Sequence, residues 1–257
     1  MATAKHSPAF REGILNPLMR GEVLVPPLRA YLCNPDFGGM TIKVPSIGTR
    51  PYDGKFHSSE HPRWAPRALM LYLVAPELLT PRMFQASDIL AMTAGSVWHA
   101  IIEHCFMELR LALACEVPFE SVETNSKGTG DAVRDGEIVE IKTMRDLLLR
   151  KIETPEDYIA RFPGYHLQAI DYMRMSGYRR ERVLLIAVTY PFEMKEFVIE
   201  YDMLEAQRID TNYRMAIQAA ADFQLPMCGG CDDDCPVKPL CRSMDSAAIM
   251  RLVEGRS

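Results

Sequence analysis

The stretch Gly130-Asp-Ala-Val-Arg-Asp-Gly-Glu-Ile-Val-Glu-Ile-Lys-Thr143 constrains this chain more than any other. Asp135-Gly136 is a preferred two-residue hairpin turn, and the runs on either side of it are strand-like. A turn there sets a register in which Arg134 faces Glu137, Val133 faces Ile138, Ala132 faces Val139 and Asp131 faces Glu140. The last pair puts two carboxylates opposite each other with Cβ atoms about 4.5–5.5 Å apart, which destabilises a sheet unless something positive lies between them. Lys142, two residues beyond Glu140, falls on the same face of its strand. Asp131, Glu140 and Lys142 thus converge on one side of a hairpin otherwise rich in Ile and Val. Two hard oxygen ligands suit Mg2+ or Mn2+, and the Lys142 ammonium can hold or help deprotonate an attacking water and offset charge on a phosphate. Read alone, Glu-x-Lys on a strand also fits a solvated charge ladder.

The 257 residues, 48% of them hydrophobic, suffice for a sizeable core and argue against disorder. No run of about 18 apolar residues occurs, and the start of the chain lacks an apolar signal, so a cytoplasmic protein with no membrane partner is expected. Pro8, Pro17, Pro26, Pro27, Pro35, Pro45 and Pro51 predict an irregular or extended region over 1–60, followed by a helix near 65–79. Ile89, Leu90, Val97, Ile101, Ile102, Met107, Leu109 and Leu113 recur at helical spacing and predict a helix over 87–114 capped by Ser87. Strands are predicted at 116–124, 130–134 and 137–143, helices at 145–151 and 163–177, a buried strand at 183–189 paired with 197–201, and a helix at 202–223. The fold class is therefore α/β, a mixed central β-sheet flanked by helices. Three parts are expected: a helical and irregular region (1–86), the core (87–223) and a C-terminal cysteine segment (224–257).

Three features outside the hairpin support its chemistry. Gly95 and His99 share a helix face, which places an imidazole for a metal where Gly95 permits close backbone approach, and Glu103 lies one turn further along. Gln168 and Tyr172 are a second i, i+4 pair, suited to hydrogen-bonding phosphates or stacking on a base. Arg179, Arg180 and Arg182 follow, either as a solvated turn or as phosphate contacts. Near the C-terminus, Cys228, Cys231, Cys235 and Cys241 form C-x2-C-x3-C-x5-C, a pattern that reads as a 4Fe–4S cluster or a structural zinc site. Cys105 and Cys115 read as core residues.

Taken in order, Gly95-x-x-x-His99, Asp131, Glu140-x-Lys142 and Gln168-x-x-x-Tyr172 resemble the PD-(D/E)XK nuclease superfamily. With the cysteine tail, the chain is similar over about residues 90–241 to the RecB-like branch that includes CRISPR-associated exonucleases. The resemblance implies a restriction-endonuclease-like core. It implies Mg2+ or Mn2+ held by His99, Asp131, Glu140 and the main-chain carbonyl of Ile141, with Lys142 catalytic alongside Asp131 and Glu140. It also implies DNA contacts by Gln168 and Tyr172, and exonucleolytic hydrolysis of single strands or ends in phage or prokaryotic recombination, repair or replication. It favours the 4Fe–4S cluster, for which this branch usually draws one cysteine from the N-terminal region; Cys33 is the reserve candidate. No G-x-x-x-x-G-K-[ST] loop occurs, so a helicase or recombination partner would be a separate chain. The alternative is an inactive DNA-binding or adaptor protein of the same fold. A net charge of −5 disfavours DNA binding unless basic residues are segregated. They are expected in the groove between the Gln168–Tyr172 helix and the hairpin.

Overall fold

The computed structural model describes residues 21–34, 41, 52–80, 85–189, 192–227 and 235–255. In chain order the elements are α1 (Val25–Leu32), β1 (Phe56–His57), α2 (Pro66–Val74), α3 (Ala86–Glu108), β2 (Ala114–Ser121), β3 (Ser126–Arg134), β4 (Glu137–Met144), α4 (Asp146–Leu149), α5 (Pro155–Arg161), α6 (Pro163–Ser176), β5 (Arg180–Ala187), β6 (Met194–Glu200), α7 (Met203–Ala221), α8 (Lys238–Ser243) and α9 (Ser246–Glu254). Asp135 and Gly136 both take positive φ (30° and 80°), the mirror-image turn that matches the strand twist. The ladder that follows is the predicted one for Ala132↔Val139, Val133↔Ile138 and Arg134↔Glu137.

Among the described residues the strands form one mixed sheet in the order β1-β3-β4-β5-β6, with β2 also on β3. β4 and β5 run parallel, which requires the helical crossover through α4, α5 and α6. β2 follows one edge of β3 from Ser126 to Val133. The opposite edge is shared: β4 takes Ala132–Arg134 and β1 takes Ser126–Lys127. The four residues between, Gly128 to Asp131, have neither neighbour on that edge, and the fork so formed holds the site.

Each face of the sheet carries its own apolar layer, because β5 is buried on both sides and alternates strictly. Val183, Leu185 and Ala187 pack with Ile138, Ala169, Ile170, Ile209 and Tyr213 on one face. Leu184 and Ile186 pack with Val139, Ile141, Leu28, Ile102 and Phe106 on the other. The predicted α/β class and mixed sheet are observed.

Several local expectations need correction. The described part of the proline-rich region contains α1, because Pro26 and Pro27 occupy the first helical turn, where a missing N–H costs nothing. Its remaining exposed N–H groups at Leu24 and Val25 donate to the Glu196 carboxylate at 2.8 and 3.1 Å, as does Val23 N–H. The long helix starts one residue early, with Asp88 rather than Ser87 taking the free N–H of Gln85 at 2.9 Å. It ends at Glu108, where Arg110 turns the chain at φ 55°. Ile89, Leu90, Met107 and Leu113 are exposed, Leu90 by 70%; burial begins only at Gly95, where a Cβ would come 3.1 Å from Thr143 Oγ1. α5 went unpredicted although Thr154 and Asp157 cap it reciprocally, at 3.2 and 3.1 Å.

The arginine cluster is spent within the fold. Arg182 is buried, bonded to both oxygens of Glu137 (2.6 and 3.3 Å), to Glu196 (3.3 Å) and to the Gly21 carbonyl (3.2 Å). Arg180 pairs with Glu200 at 3.3 Å, and Arg179 lies over the Tyr201 ring at 4.4 Å. Replacing Arg182 by Leu takes the guanidinium from buried Glu196 and leaves Glu137 to the longer Arg134 contact at 3.7 Å. Urea unfolding of Arg182→Leu is expected to show a loss of about 3–5 kcal/mol, against less than about 1 kcal/mol for Arg180→Leu at the exposed pair.

Candidate active site

Asp131 occupies the inner end of the fork. Extending the two observed registers puts Glu116 of β2 opposite it on one side and Glu140 of β4 on the other, and neither pair belongs to its ladder. Asp131 Oδ2 instead accepts the Ile141 N–H at 2.6 Å, so a side chain replaces a ladder carbonyl at the row where three carboxylates line up. Glu116 takes φ 53°, a conformation that costs a non-glycine residue about 1–2 kcal/mol. The predicted Asp131–Glu140 pairing is thus a row position without a ladder bond, since bonding both strands there would crowd like charges.

The two glycines of β3 follow from aromatic packing. A Cβ on Gly128 would lie 2.3 Å from Tyr172 Cε1, and one on Gly130 would lie 2.8 Å from Phe119 Cε2 and 3.2 Å from Ile138 Cγ2. Glycine before Asp131 therefore lets Phe119 close over the strand.

Lys142 is engaged on three sides. It donates to Glu140 Oε1 at 2.6 Å and to Gln168 Oε1 at 3.1 Å, and it lies 4.5 Å from the centroid of the Tyr165 ring. Gln168 Nε2 donates to the Tyr172 hydroxyl (2.8 Å), which donates to the Thr129 carbonyl (2.9 Å) in the unpaired part of β3. Gln168 and Tyr172 are only 6% and 3% exposed. The pair is packed behind the lysine, where its hydrogen bonds fix Lys142 to the fork, while Tyr172 also lines a second cavity. Tyr165 was missed; its signal was a place one turn before Gln168 on the same helix.

From the other face, α3 supplies His99, whose Nδ1 lies 3.4 Å from Asp131 Oδ1. His99, Glu103 and Asp131 present ligand atoms all within 4.8 Å of one another. A cavity of about 610 Å³ beside them is lined by Met92, Gly95, Ser96, His99, Glu103 and Glu116. Glu103 Oε1 and Glu140 Oε2 are buried without a hydrogen-bond partner. Burial and then Glu116 and Asp131 push the Glu103 carboxyl up to about 7. Burial and then Asp131 push Glu140 up to about 7 as well. Burial opposes charge on Lys142, but Glu140 and Asp131 outweigh it and hold the ammonium above its ordinary pKa. Burial likewise opposes charge on His99, and Asp131 outweighs it, so its pKa is raised. Two orphaned carboxylate oxygens in an excess of negative charge are what a bound divalent cation satisfies, so the donor set fits Mg2+ or Mn2+.

The expected basic groove is absent among these residues. Hydrogen bonds from Gln168 and Tyr172 fill the space between α6 and the hairpin, and the surrounding carboxylates Glu103, Glu116, Asp131, Glu140 and Glu181 outnumber Lys142. Glu181 is buried on β5, and burial followed by Glu140 pushes its pKa well above the usual range.

Of the cysteines, Cys228 and Cys231 lie outside the described residues. Cys235 and Cys241 pack at the edge of the apolar layer that contains α6 and α7, where Cys241 Sγ accepts from Arg67 Nη1 at 3.7 Å. Cys33 is exposed at the end of α1, which packs in the opposite layer. Cys105 is buried, as expected, and Cys115 is half-buried. No helix among the described residues is long and apolar enough to cross a membrane.

No protein-family model matches the sequence, and no curated protein matches it. Among solved structures, an alkaline exonuclease from Laribacter hongkongensis is similar, at 15% identity and a TM-score of 0.47 over 66% of this chain and 89% of that one. Its complex with dAMP aligns with a TM-score of 0.46 at the same identity and coverage. A phage-related exonuclease from Haemophilus somnus 129PT aligns at 12% identity and a TM-score of 0.42, over 61% of this chain and 79% of that one. At these scores the likenesses transfer no residue roles to this chain.

Carboxyls raised to about 7 bind protons in the folded state that the unfolded chain has released by then. The metal-free protein therefore loses stability as pH rises from about 4.5 to about 7. Its Tm is expected to fall over that window. Added Mn2+ should raise Tm more at the upper end than at the lower, and Glu103→Gln/Glu140→Gln should flatten both effects.

Proposed function

We propose that this chain is a metal-dependent deoxyribonuclease acting as an exonuclease on single strands or DNA ends. The observation that carries the reading is the convergence of His99, Asp131, Glu140 and Lys142 on the fork, with Glu140 Oε2 left without a partner. The order of motifs along the chain supports the PD-(D/E)XK assignment and DNA as the substrate.

His99, Asp131, Glu140 and the Ile141 carbonyl would hold Mg2+ or Mn2+, with Glu103 within reach. The ion supplies Lewis-acid polarisation of the phosphate and acidification of a water. Lys142 acts as a charged donor. Its raised pKa suits it to hold the attacking water and to offset charge on the phosphate, and does not suit it to accept a proton. Gln168, Tyr172 and Tyr165 position that ammonium, so their effect on the reaction passes through Lys142. His99, drawn to Asp131, keeps the aspartate turned toward α3 while its second oxygen stays on Ile141 N–H. We propose further that the four tail cysteines hold a structural 4Fe–4S cluster, or else zinc, on the support of their spacing.

End-labelled single- and double-stranded DNA, incubated with the anaerobically purified protein and Mg2+ or Mn2+, is expected to be degraded. EDTA should stop degradation, and Lys142→Ala should lower the rate by about 100-fold or more. A folded wild type that binds labelled DNA without degrading it under any metal would replace this reading with the adaptor one. Metal analysis of the same preparation is expected to find iron with equivalent sulfide; zinc at one per chain would select the other occupant, and neither metal would end the cysteine proposal.

A further inference from the structure

Beside the fork, lined by Gly128, Thr129 and Tyr172 among others, lies a cavity of about 640 Å³ that the chemistry above does not use. From its form we infer that it receives one unstacked nucleobase of the substrate strand, on a nucleotide flanking the scissile bond. This inference rests on the nuclease reading and adds to it a single-stranded substrate at the site.

One wall is apolar and aromatic, made by Pro118, Phe119 and Tyr172, with the two rings 5.8 Å apart and inclined at 54°. The other side is polar and held in place. Ser58 donates to the buried Asp171 at 2.7 Å. His57 Nε2 lies 3.0 Å from Asp53, which also pairs with Lys127 at 2.5 Å. Lys55 pairs with Glu120 at the rim. An aromatic wall facing fixed donors and acceptors is the chemistry that binds a base by its face and its edge. The volume lies in the range of pockets that enclose a small ligand, and a base enters such a pocket by turning out of its stack.

The cavity's position ties it to the reaction. Lys127, Gly128 and Thr129 line it, and Asp131 follows two residues after Thr129 on the same strand, about 7 Å on at strand spacing. Tyr172 is at once its floor and the group that holds Gln168, which in turn holds Lys142. The acidic row by itself repels a phosphodiester backbone, so a strand must gain its hold beside that row. Lys127, four residues before Asp131 on β3, pairs with Asp53, an exposed carboxylate shared with His57, so a phosphate can compete for it.

The test separates binding from cleavage. Binding of fluorescein-labelled oligothymidylate, and of the matching all-abasic oligomer, is measured by anisotropy in EDTA for the wild type, Ser59→Phe and Lys127→Ala. Ser59 is exposed at the rim, and phenylalanine there narrows the mouth. The wild type is expected to bind oligothymidylate about tenfold or more tightly than the abasic oligomer, and Ser59→Phe to lose that preference. Lys127→Ala should weaken both oligomers alike, because it acts on phosphate. A wild type without base preference, or a Ser59→Phe protein that keeps it, overturns the inference. Cleavage of labelled duplex ends with Mn2+ reports on the nuclease reading independently: cleavage without base preference sinks the cavity alone, and base preference without cleavage sinks the nuclease alone.

Discussion

The bond from Ile141 N–H to the Asp131 carboxylate is what the rest of the site depends on. A β-ladder satisfies its amides with carbonyls, and at this row the amide is satisfied by a side chain. The exchange lets β4 leave β3 after three paired residues, so that β1 can join the same edge further down. Without that substitution a buried amide would stand unpaired, at a cost of about 1–3 kcal/mol, and the fork would be a defect. With it, the fork becomes a stable opening whose contents are a carboxylate row, a lysine and a stretch of β3 without a strand neighbour on that edge.

Charge is arranged differently in the two halves of the sheet. Away from the fork, buried carboxylates are neutralised by arginine: Glu137 and Glu196 by Arg182, Asp171 by Arg174. These are closed networks that join α1, the hairpin, β5 and β6, and separately α6 to α7 through Asp210. At the fork the balance is left open. Glu103, Glu140 and Glu181 each keep an oxygen without a partner, with Lys142 beside Glu140 and Glu181 and His99 beside Glu103. Proteins rarely leave such groups unmatched, and the deficit falls where a divalent cation has ligands of the right type.

The hairpin was legible because its signals agree at every level: the turn dipeptide, the alternation and the charge pattern all demand one register. The helix carrying His99 was legible in kind but misjudged in burial, since periodicity reports an apolar stripe without saying how much of it finds a neighbour. Leu90 has the pattern of a core residue and no surface to meet among the described residues. Gln168 and Tyr172 were legible as a pair but not in their partners, for a related reason. Helical spacing put them on one face, but only the fork shows that this face looks inward at Lys142. Tyr165 and the cavity beside Phe119 depend on contacts distant in sequence, which no local pattern encodes. Gly128 and Gly130 read as ordinary strand glycines until the rings above them are seen.

The three engagements of Lys142 have a further consequence. An ammonium has three N–H groups, and here two go to Glu140 and Gln168 while the third side meets a ring. The lysine therefore serves as a resident counter-ion for Glu140. A cation held by Glu140 would compete with Lys142 for that carboxylate, and the displaced ammonium would be free to turn to a substrate phosphate. A monovalent ion brings no more charge than the ammonium it competes with, whereas a divalent one does. The contact between Lys142 and Glu140 would thereby favour cations of higher valence at this carboxylate.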